Sequence, residues 1–129
     1  MEKEIIFSLE VPTPIGPYSQ AVKVGNTYYF SGMIALDAKT GEMIGKNASS
    51  QTQKAMENIG ALLSEKGLNY SNIVKSSIFL KDMHDFLAVN EVYSCFFKKD
   101  YPARETVEVA RLPKDVRVEI SAIAALPNQ

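Results

Sequence analysis

The sequence contains very few of the side chains from which metal centres and nucleophilic active sites are usually built. Cys95 is its one cysteine and His84 its one histidine. Zinc sites made of several cysteine and histidine ligands are therefore excluded, and a Ser-His-Asp arrangement would have to use His84. A lone histidine at the predicted start of a helix is more often a cap or a surface residue, and Cys95 is expected to be a small core or partly exposed residue. We expect no metal ion and no cofactor.

The sequence also lacks the features that mark secreted, membrane-spanning and nucleic-acid-binding chains. One cysteine cannot form an internal disulfide, which favours a cytoplasmic location. No apolar run is long enough to span a membrane, and the N-terminus carries acidic residues where a signal peptide carries basic ones. The 14 Lys and Arg residues oppose 15 Asp and Glu residues, which gives no electrostatic reason to bind nucleic acid or an anionic membrane. No glycine-rich phosphate loop or dinucleotide fingerprint is present.

What is present is the composition and patterning of one globular domain spanning residues 1–129. A hydrophobic content of 46% with 22% charged residues is ordinary for such a domain. Apolar patterns with periods of 2 and 3.6 residues, separated by turn residues, predict the order β-β-β-α-β-α-β-β. The predicted elements are residues 4–7, 20–24, 27–32, 47–67, 73–80, 82 or 85 to about 98, 106–110 and 116–124.

Two features of this pattern predict the architecture. Amphipathic helices that alternate with strands predict an α+β domain, in which a single mixed β-sheet carries both helices on one face. The turn residues at positions 111–115 predict a tight hairpin between the last two strands. The sheet face opposite the helices must then be covered in some other way.

Two charged residues near the last two strands are candidates for a functional role. Arg104 precedes a strand, and a planar guanidinium matches a carboxylate through two parallel hydrogen bonds. Glu119 lies mid-strand, on the face opposite Val118 and Ile120. From spacing alone a surface role is favoured for Arg104, and a solvated role is as good an interpretation as a functional one for Glu119.

A third candidate is an asparagine on the apolar face of the second helix. Asn90 lies four residues after Phe86 and three before Tyr93, so it shares their side of the helix. A buried asparagine without hydrogen-bond partners costs roughly 1–3 kcal/mol. Asn90 is therefore expected either to bond a nearby backbone carbonyl or to belong to a pocket.

Three stretches of the sequence carry a family signature. They are Ile15-Gly16-Pro17-Tyr18-Ser19-Gln20, the pair Ser31-Gly32, and the run PARETVEVARLPKDVRVEISAIA at positions 102–124. Together they resemble the Rid family, also called the YjgF family, whose name stands for reactive intermediate/imine deaminase. The resemblance covers nearly the whole chain, and its last stretch is long and close to gapless.

This resemblance implies a chorismate-mutase-like fold that assembles as a homotrimer, with the sheets facing inward around a central barrel. It implies hydrolysis of reactive 2-imino acids, such as 2-iminobutanoate and 2-iminopropanoate, to 2-keto acids and ammonia in pockets between subunits. By matching motif, Arg104 would grip the substrate carboxylate and Glu119 would orient or deprotonate the attacking water. The pocket would be lined by Tyr18, Ser31 and Asn90, with the backbone of Thr106 presented to the substrate.

Two positions depart from the family pattern. Position 105 is Glu, where a small or hydroxyl residue is usual, and position 106 is Thr, where many members carry Cys. In an extended segment Arg104 and Thr106 would share a face and Glu105 would point away. In a bent segment Glu105 would be able to pair with Arg104 and weaken carboxylate binding. Thr106 removes any role for a thiol but leaves a role for the backbone.

Two other functions remain open at this point. The first is a non-catalytic metabolite-binding or regulatory module, because a fold does not by itself fix a function. Arg104 favours the enzyme, since relatives that lack this arginine are expected to lack the activity. The second is a ribonuclease or translation inhibitor, which the slight negative charge and the missing basic-aromatic patch argue against.

Overall fold

The computed structural model describes residues 2–127 as one six-stranded sheet with two α-helices. The strands are β1 (Glu4–Ile6), β2 (Ala21–Val24), β3 (Thr27–Met33), β4 (Ile73–Leu80), β5 (Ala103–Glu108) and β6 (Val118–Ala125). The helices are α1 (Ala48–Glu65) and α2 (Phe86–Ser94). The predicted order of strands and helices is confirmed. Within residues 2–127 no helix is long and apolar enough to cross a membrane.

The last strand of the chain lies in the middle of the sheet. The strand order is β1-β2-β3-β6-β4-β5, and β4 with β5 is the parallel pair in an otherwise antiparallel sheet. Because successive side chains of a strand point to opposite faces, every second residue of β6 is buried beneath the helices. These residues are Val118, Ile120, Ala122 and Ala124. The alternation predicted from the sequence is confirmed.

The first helix forms where the sequence predicts it. The Asn47 side chain accepts a hydrogen bond from the Ser50 backbone N–H and caps the N-terminus, while Gly67 follows the C-terminus with a φ of 70°. Its predicted apolar stripe is fully buried against the sheet. The stripe consists of Ala55, Met56, Ile59, Leu62 and Leu63. The predicted hairpin of β2 and β3 is also confirmed, with Gly25 at a φ of 59°.

The second helix is shorter than predicted. It begins at Phe86, after a short 3₁₀ turn that Asp82 caps through its bond to the His84 N–H, and it ends at Ser94 rather than near position 98. His84 is therefore a surface residue beside a cap. Cys95 follows the helix and is exposed, so of the two expected settings, the core or a partly exposed position, the core is wrong. The aromatic residues after the helix still pack against the core, which explains why the apolar pattern continues past its end.

The predicted hairpin between the last two strands is wrong. β5 pairs in parallel with β4, and β6 lies on the other side of β4, so the two strands are not neighbours. The physical reason is the α2 crossover, which returns the chain beside β4 in the same direction, as parallel strands joined by a helix require. A turn does form at Pro113–Asp115, with Lys114 and Asp115 at positive φ. The presence of a turn was predicted correctly, but neither a type I geometry, which the positive φ of Lys114 excludes, nor the pairing partner was.

The two faces of the sheet have different surroundings. Both helices cover one face, as predicted, and share a single apolar core with it. On the other face a row of apolar side chains runs across four strands through cross-strand partners, namely Ile5, Val22, Tyr29 and Ile123. Ile5 and Tyr29 in this row are 53% and 47% exposed. A large apolar surface of this kind is a candidate contact surface for another molecule.

A buried asparagine on α1 attaches the segment that follows β3. The Asn58 side chain is 1% exposed, and its amide nitrogen donates to the carbonyl oxygens of Ile34 at 3.1 Å and Leu36 at 3.2 Å. These bonds hold a segment that forms one wall of the cleft described below.

We expect Asn58→Ala to destabilise the fold, because it leaves the Leu36 carbonyl oxygen without its donor and removes one of the two donors to the Ile34 carbonyl oxygen. The loss should be about 1–3 kcal/mol in the free energy of unfolding, measured by urea denaturation. Gln53→Ala, on the exposed side of the same helix, is the matched control and should change little. Equal stabilities for wild type and Asn58→Ala would show that these bonds do not contribute.

Candidate functional site

Arg104 lies on the helix-covered side of the sheet. It is the register partner of Ser76 on β4, which is buried beneath the helices. Three side chains from one stripe of α2 surround its guanidinium. The Asn90 amide oxygen accepts from the Arg104 Nη2 at 2.6 Å, and the ring centroids of Phe86 and Tyr93 lie 5.8 Å and 5.1 Å from its Cζ. Asn90 therefore finds its partner in a side chain rather than in a backbone carbonyl.

Arg104 differs from the other arginines of the chain in having no acidic partner among residues 2–127. Arg111 pairs with Asp115 at 2.8 Å, and Arg117 pairs with Asp85 at 2.7 Å. The Arg104 guanidinium is half-buried, and its contacts there are with aromatic rings and one amide oxygen. A cation in this setting can bind an anion through its remaining N–H groups.

The segment around Arg104 is extended, and this determines where its unusual neighbours point. Glu105 lies on the opposite face, where its carboxylate bonds the Ser77 hydroxyl and pairs with Lys75 at 3.0 Å. Both contacts lower the pKa of the Glu105 carboxyl, the Ser77 bond having the larger effect. Glu105 therefore does not neutralise Arg104. Thr106 shares the face of Arg104, and its hydroxyl is buried without a hydrogen-bond partner among the described residues.

Glu119 lies on the other face of the sheet, opposite Phe79 in the register of β4 and β6. Phe79 packs against a second apolar cluster made of Ile34, Leu36, Leu112 and Val116. Burial raises the pKa of the Glu119 carboxyl above its ordinary value. Within residues 2–127 this carboxylate has neither a hydrogen-bond donor nor a cationic partner.

A glycine makes room for the Glu119 side chain. Gly32 lies at an irregularity of β3, where the register with β6 shifts between Phe30 and Met33. A Cβ atom at position 32 would overlap the Glu119 carboxylate, so a residue with a side chain does not fit without moving it. The pair Ser31-Gly32 thus has a steric reason to contain glycine.

Gly32 also borders a cleft that contains Tyr18 and Ser31. The Ser31 hydroxyl donates to the carbonyl oxygen of Ser19 at 2.6 Å, and Tyr18 is exposed at the cleft's edge. The loop that forms the cleft is held by Gln20, a role that the sequence analysis missed. Its buried amide nitrogen donates to the carbonyl oxygens of Ser8, Val11 and Pro12. The feature of the sequence that could have indicated this role is a glutamine at the start of an apolar strand.

The predicted site residues therefore form two separate groups within one chain. Arg104, Asn90 and Thr106 lie on the helix-covered side of the sheet. Glu119 lies on the other side, next to the glycine that borders the cleft of Tyr18 and Ser31. The sheet separates the two groups, so one small molecule cannot contact Arg104 and Glu119 of the same chain together.

Comparison with known proteins assigns this arrangement to a family. The family model described as Endoribonuclease L-PSP matches residues 9–126, which include every residue of both groups. The chain belongs to the YjgF/RutC/Rid family. The resemblance seen in the sequence is confirmed.

The Rid-family relatives match over nearly their full lengths. A RutC family protein of Pyrococcus abyssi is 50% identical, covering 96% of this chain and 98% of that protein. The human 2-iminobutanoate/2-iminopropanoate deaminase is 40% identical, covering 95% of this chain and 89% of that protein. Among solved structures, E. coli TdcF with bound serine has a TM-score of 0.91 and 40% identity, covering 96% of this chain and 99% of that one.

The raised pKa of Glu119 predicts a specific dependence of stability on pH. At pH values between the pKa of Glu119 in the unfolded chain and its higher pKa in the folded chain, the folded chain keeps a proton on Glu119 that the unfolded chain has released. The contribution of Glu119 to stability is therefore complete below the ordinary pKa and is lost as the pH rises through the folded-state pKa. We expect Glu119→Gln to have a higher Tm than wild type at pH 7.5, because it removes the desolvated charge, and to lose that advantage near pH 4.

Thermal unfolding of both proteins at the two pH values measures this effect. Glu65→Gln, at an exposed position on α1, is the matched control and should show no such difference. A Glu119→Gln protein that is less stable than wild type at pH 7.5 would contradict the burial cost assigned to the carboxylate.

Proposed function

We propose that this protein hydrolyses 2-imino acids to 2-keto acids and ammonia, in sites formed between the subunits of a homotrimer. The observation that carries the proposal is the half-buried guanidinium of Arg104, which has no acidic partner among the described residues. Its substrates would be reactive imines such as 2-iminobutanoate and 2-iminopropanoate. The whole chain would act as one domain, without a metal or cofactor, in the cytoplasm, and hydrolysis would protect the cell from metabolite damage.

The carboxylate of the substrate is the proposed ligand of Arg104. A carboxylate matches the two-pronged geometry of a guanidinium, and the aromatic rings beside Arg104 reduce its access to competing water. Two relatives support a ligand of this class. One is named 2-iminobutanoate/2-iminopropanoate deaminase, and the other was solved with bound serine, which carries a carboxylate next to its nitrogen-bearing carbon.

Glu119 is the proposed base. A carboxylate whose pKa is raised by burial accepts a proton more readily than an exposed one. Glu119 would take a proton from water as the oxygen bonds to the imine carbon, and the C=N electron pair would move to nitrogen. The proton then passes to nitrogen, which gives a carbinolamine. The hydroxyl proton of this intermediate is next transferred to the same nitrogen, through Glu119, as the C–N bond breaks, so that ammonia leaves as the carbonyl forms. Tyr18 and Ser31 would line the pocket on this side.

Assembly follows from the separation of the two groups. Arg104 of one copy and Glu119 of another must face the same substrate, so the site requires an interface between copies of the chain. The exposed apolar row that includes Ile5 and Tyr29 is a suitable contact surface for that interface. The number of copies in the assembly, three, is inferred from the family resemblance.

Two further residues have proposed roles on the Arg104 side of the site. Asn90 would orient Arg104, and the Thr106 backbone would face the substrate.

The alternatives receive less support. A non-catalytic binding module would use Arg104 in the same way but gives no reason for a desolvated carboxylate at position 119. The family model is described as an endoribonuclease, yet Arg111 and Arg117 are both paired with carboxylates, and the chain has a net charge of −1. Binding to an RNA backbone depends on unpaired positive charge, so this function is not favoured.

We expect wild-type protein to accelerate keto-acid release when a pyridoxal-phosphate dehydratase generates 2-iminobutanoate in a buffer without free amines. Arg104→Ala should lose on the order of 2–5 kcal/mol in kcat/KM, because a desolvated substrate carboxylate loses its partner. Arg104→Lys should also bind more weakly, since it keeps the charge but not the two-pronged geometry. Glu119→Gln should lower kcat by roughly 10²–10⁴-fold while calorimetry shows nearly unchanged 2-ketobutyrate binding.

Arg111→Ala is the matched control for Arg104→Ala, because it removes an exposed, paired arginine from the same region. Its activity should equal that of wild type. Arg104→Ala that binds and turns over like wild type would remove the main support for the enzyme. Activity that a chelator abolishes and zinc restores would contradict the proposal that no metal takes part.

A further inference from the structure

The aromatic ring beneath Arg104 is that of Tyr93, and two other side chains hold it in place. Tyr93 is 4% exposed, and the Arg104 guanidinium rests on its face. The ring centroid of Phe97 lies 4.9 Å from that of Tyr93, at an interplanar angle of 47°. At the far end of the side chain, the Tyr93 hydroxyl donates to the Ser76 hydroxyl oxygen at 2.9 Å. The ring therefore has a single well-defined position.

Ser76 is an unusual residue for its place in the sheet. It is 1% exposed and lies on the helix-covered face of β4, where Ile78 and Leu80 are the next residues on that face. An apolar residue would suit this environment better, since a buried hydroxyl needs a partner. Its partner is the Tyr93 hydroxyl, a donor at neutral pH, and burial raises the pKa of this hydroxyl further above its ordinary value. Ser76 is also the residue directly beside Arg104 in the register of β4 and β5.

We propose that Tyr93 and Ser76 are positioning residues for carboxylate binding by Arg104. The buried hydrogen bond between them holds the end of the Tyr93 side chain in place, and the neighbouring Phe97 ring limits rotation of the Tyr93 ring. The face of this ring in turn orients the guanidinium that lies over it. Because two-pronged binding requires the guanidinium and the carboxylate to be coplanar, the ring sets the direction from which a carboxylate can bind. The inference rests on the proposed function, in which a 2-imino acid supplies that carboxylate.

The proposed role predicts an effect on KM rather than on kcat. Arg104 would bind the carboxylate equally in the ground state and in the transition state, so a tilted guanidinium weakens both by the same amount. Tyr93→Leu should raise KM and the Kd for 2-ketobutyrate about three- to thirtyfold, the range expected for losing a partly buried cation–ring contact. Its kcat should remain close to that of wild type. Tyr93→Phe keeps the ring and should recover most of the affinity, with Ser76→Ala giving a similarly small loss.

Tyr28→Leu is the matched control, because it removes a buried tyrosine of β3 whose ring lies near the Lys23 ammonium and which forms none of the contacts described for Tyr93 and Arg104. It should destabilise the fold without changing KM. The same Tyr93→Leu change is then made in an Arg104→Lys protein, whose ammonium has no plane to orient. There it should raise KM less than about twofold, because the effect of Tyr93 passes through the guanidinium.

The outcomes separate the inference from the proposed function. Wild-type protein that neither binds 2-ketobutyrate nor hydrolyses the imine contradicts the proposed function and the inference with it. Wild type that binds while Tyr93→Leu binds equally well contradicts only the role of Tyr93, as does an equal loss in the wild-type and Arg104→Lys backgrounds. Should Tyr93→Leu fail to fold, Tyr93→Phe and Ser76→Ala decide, since unchanged Kd in both would contradict the role of their hydrogen bond.

Discussion

The two-sidedness of the sheet is the constraint on which the rest of this structure depends. Each strand sends alternate side chains to opposite faces, and the helices cover one of those faces. Arg104 lies on the covered side and Glu119 on the other, so the layer between them prevents both from meeting one ligand in the same chain. A second copy of the chain is the simplest way to bring these groups together. If both groups act on one substrate, as proposed, strand geometry alone requires an interface between copies of the chain.

Both groups are kept in states that cost stability in the isolated chain. Arg104 is half-buried without an anion, and Glu119 is partly desolvated without a cation or a donor among the described residues. By contrast, Arg111, Arg117 and Glu105 all have oppositely charged partners. Unpaired charges concentrate at functional sites because a ligand or a reacting group completes them. The absence of an acidic partner among the described residues therefore distinguishes Arg104 from the other two arginines.

Much of the fold followed from local patterns, and the main error came from a non-local choice. The buried stripe of α1 and the alternation along β6 are periodic signals that the sequence displays directly. The predicted hairpin failed because turn residues at 111–115 indicate a reversal but not which strand the chain joins next. With β5 assigned to the wrong neighbour, the face occupied by Arg104 was unknown. The structural roles of four residues were missed for the same reason, since the contacts that define them lie far away in sequence: Gln20, Gly32, Ser76 and Tyr93.

Complementation between two inactive variants tests the composite site most directly. Arg104→Ala and Glu119→Gln proteins would be unfolded together, refolded as an equal mixture, and compared with each variant refolded alone. Light scattering would first establish that the mixture assembles at three times the chain mass of 14.3 kDa. The account predicts recovery of about one quarter of wild-type activity, because that share of interfaces combines an intact Arg104 with an intact Glu119 from another subunit. Mixed assemblies as inactive as the separate variants would contradict it.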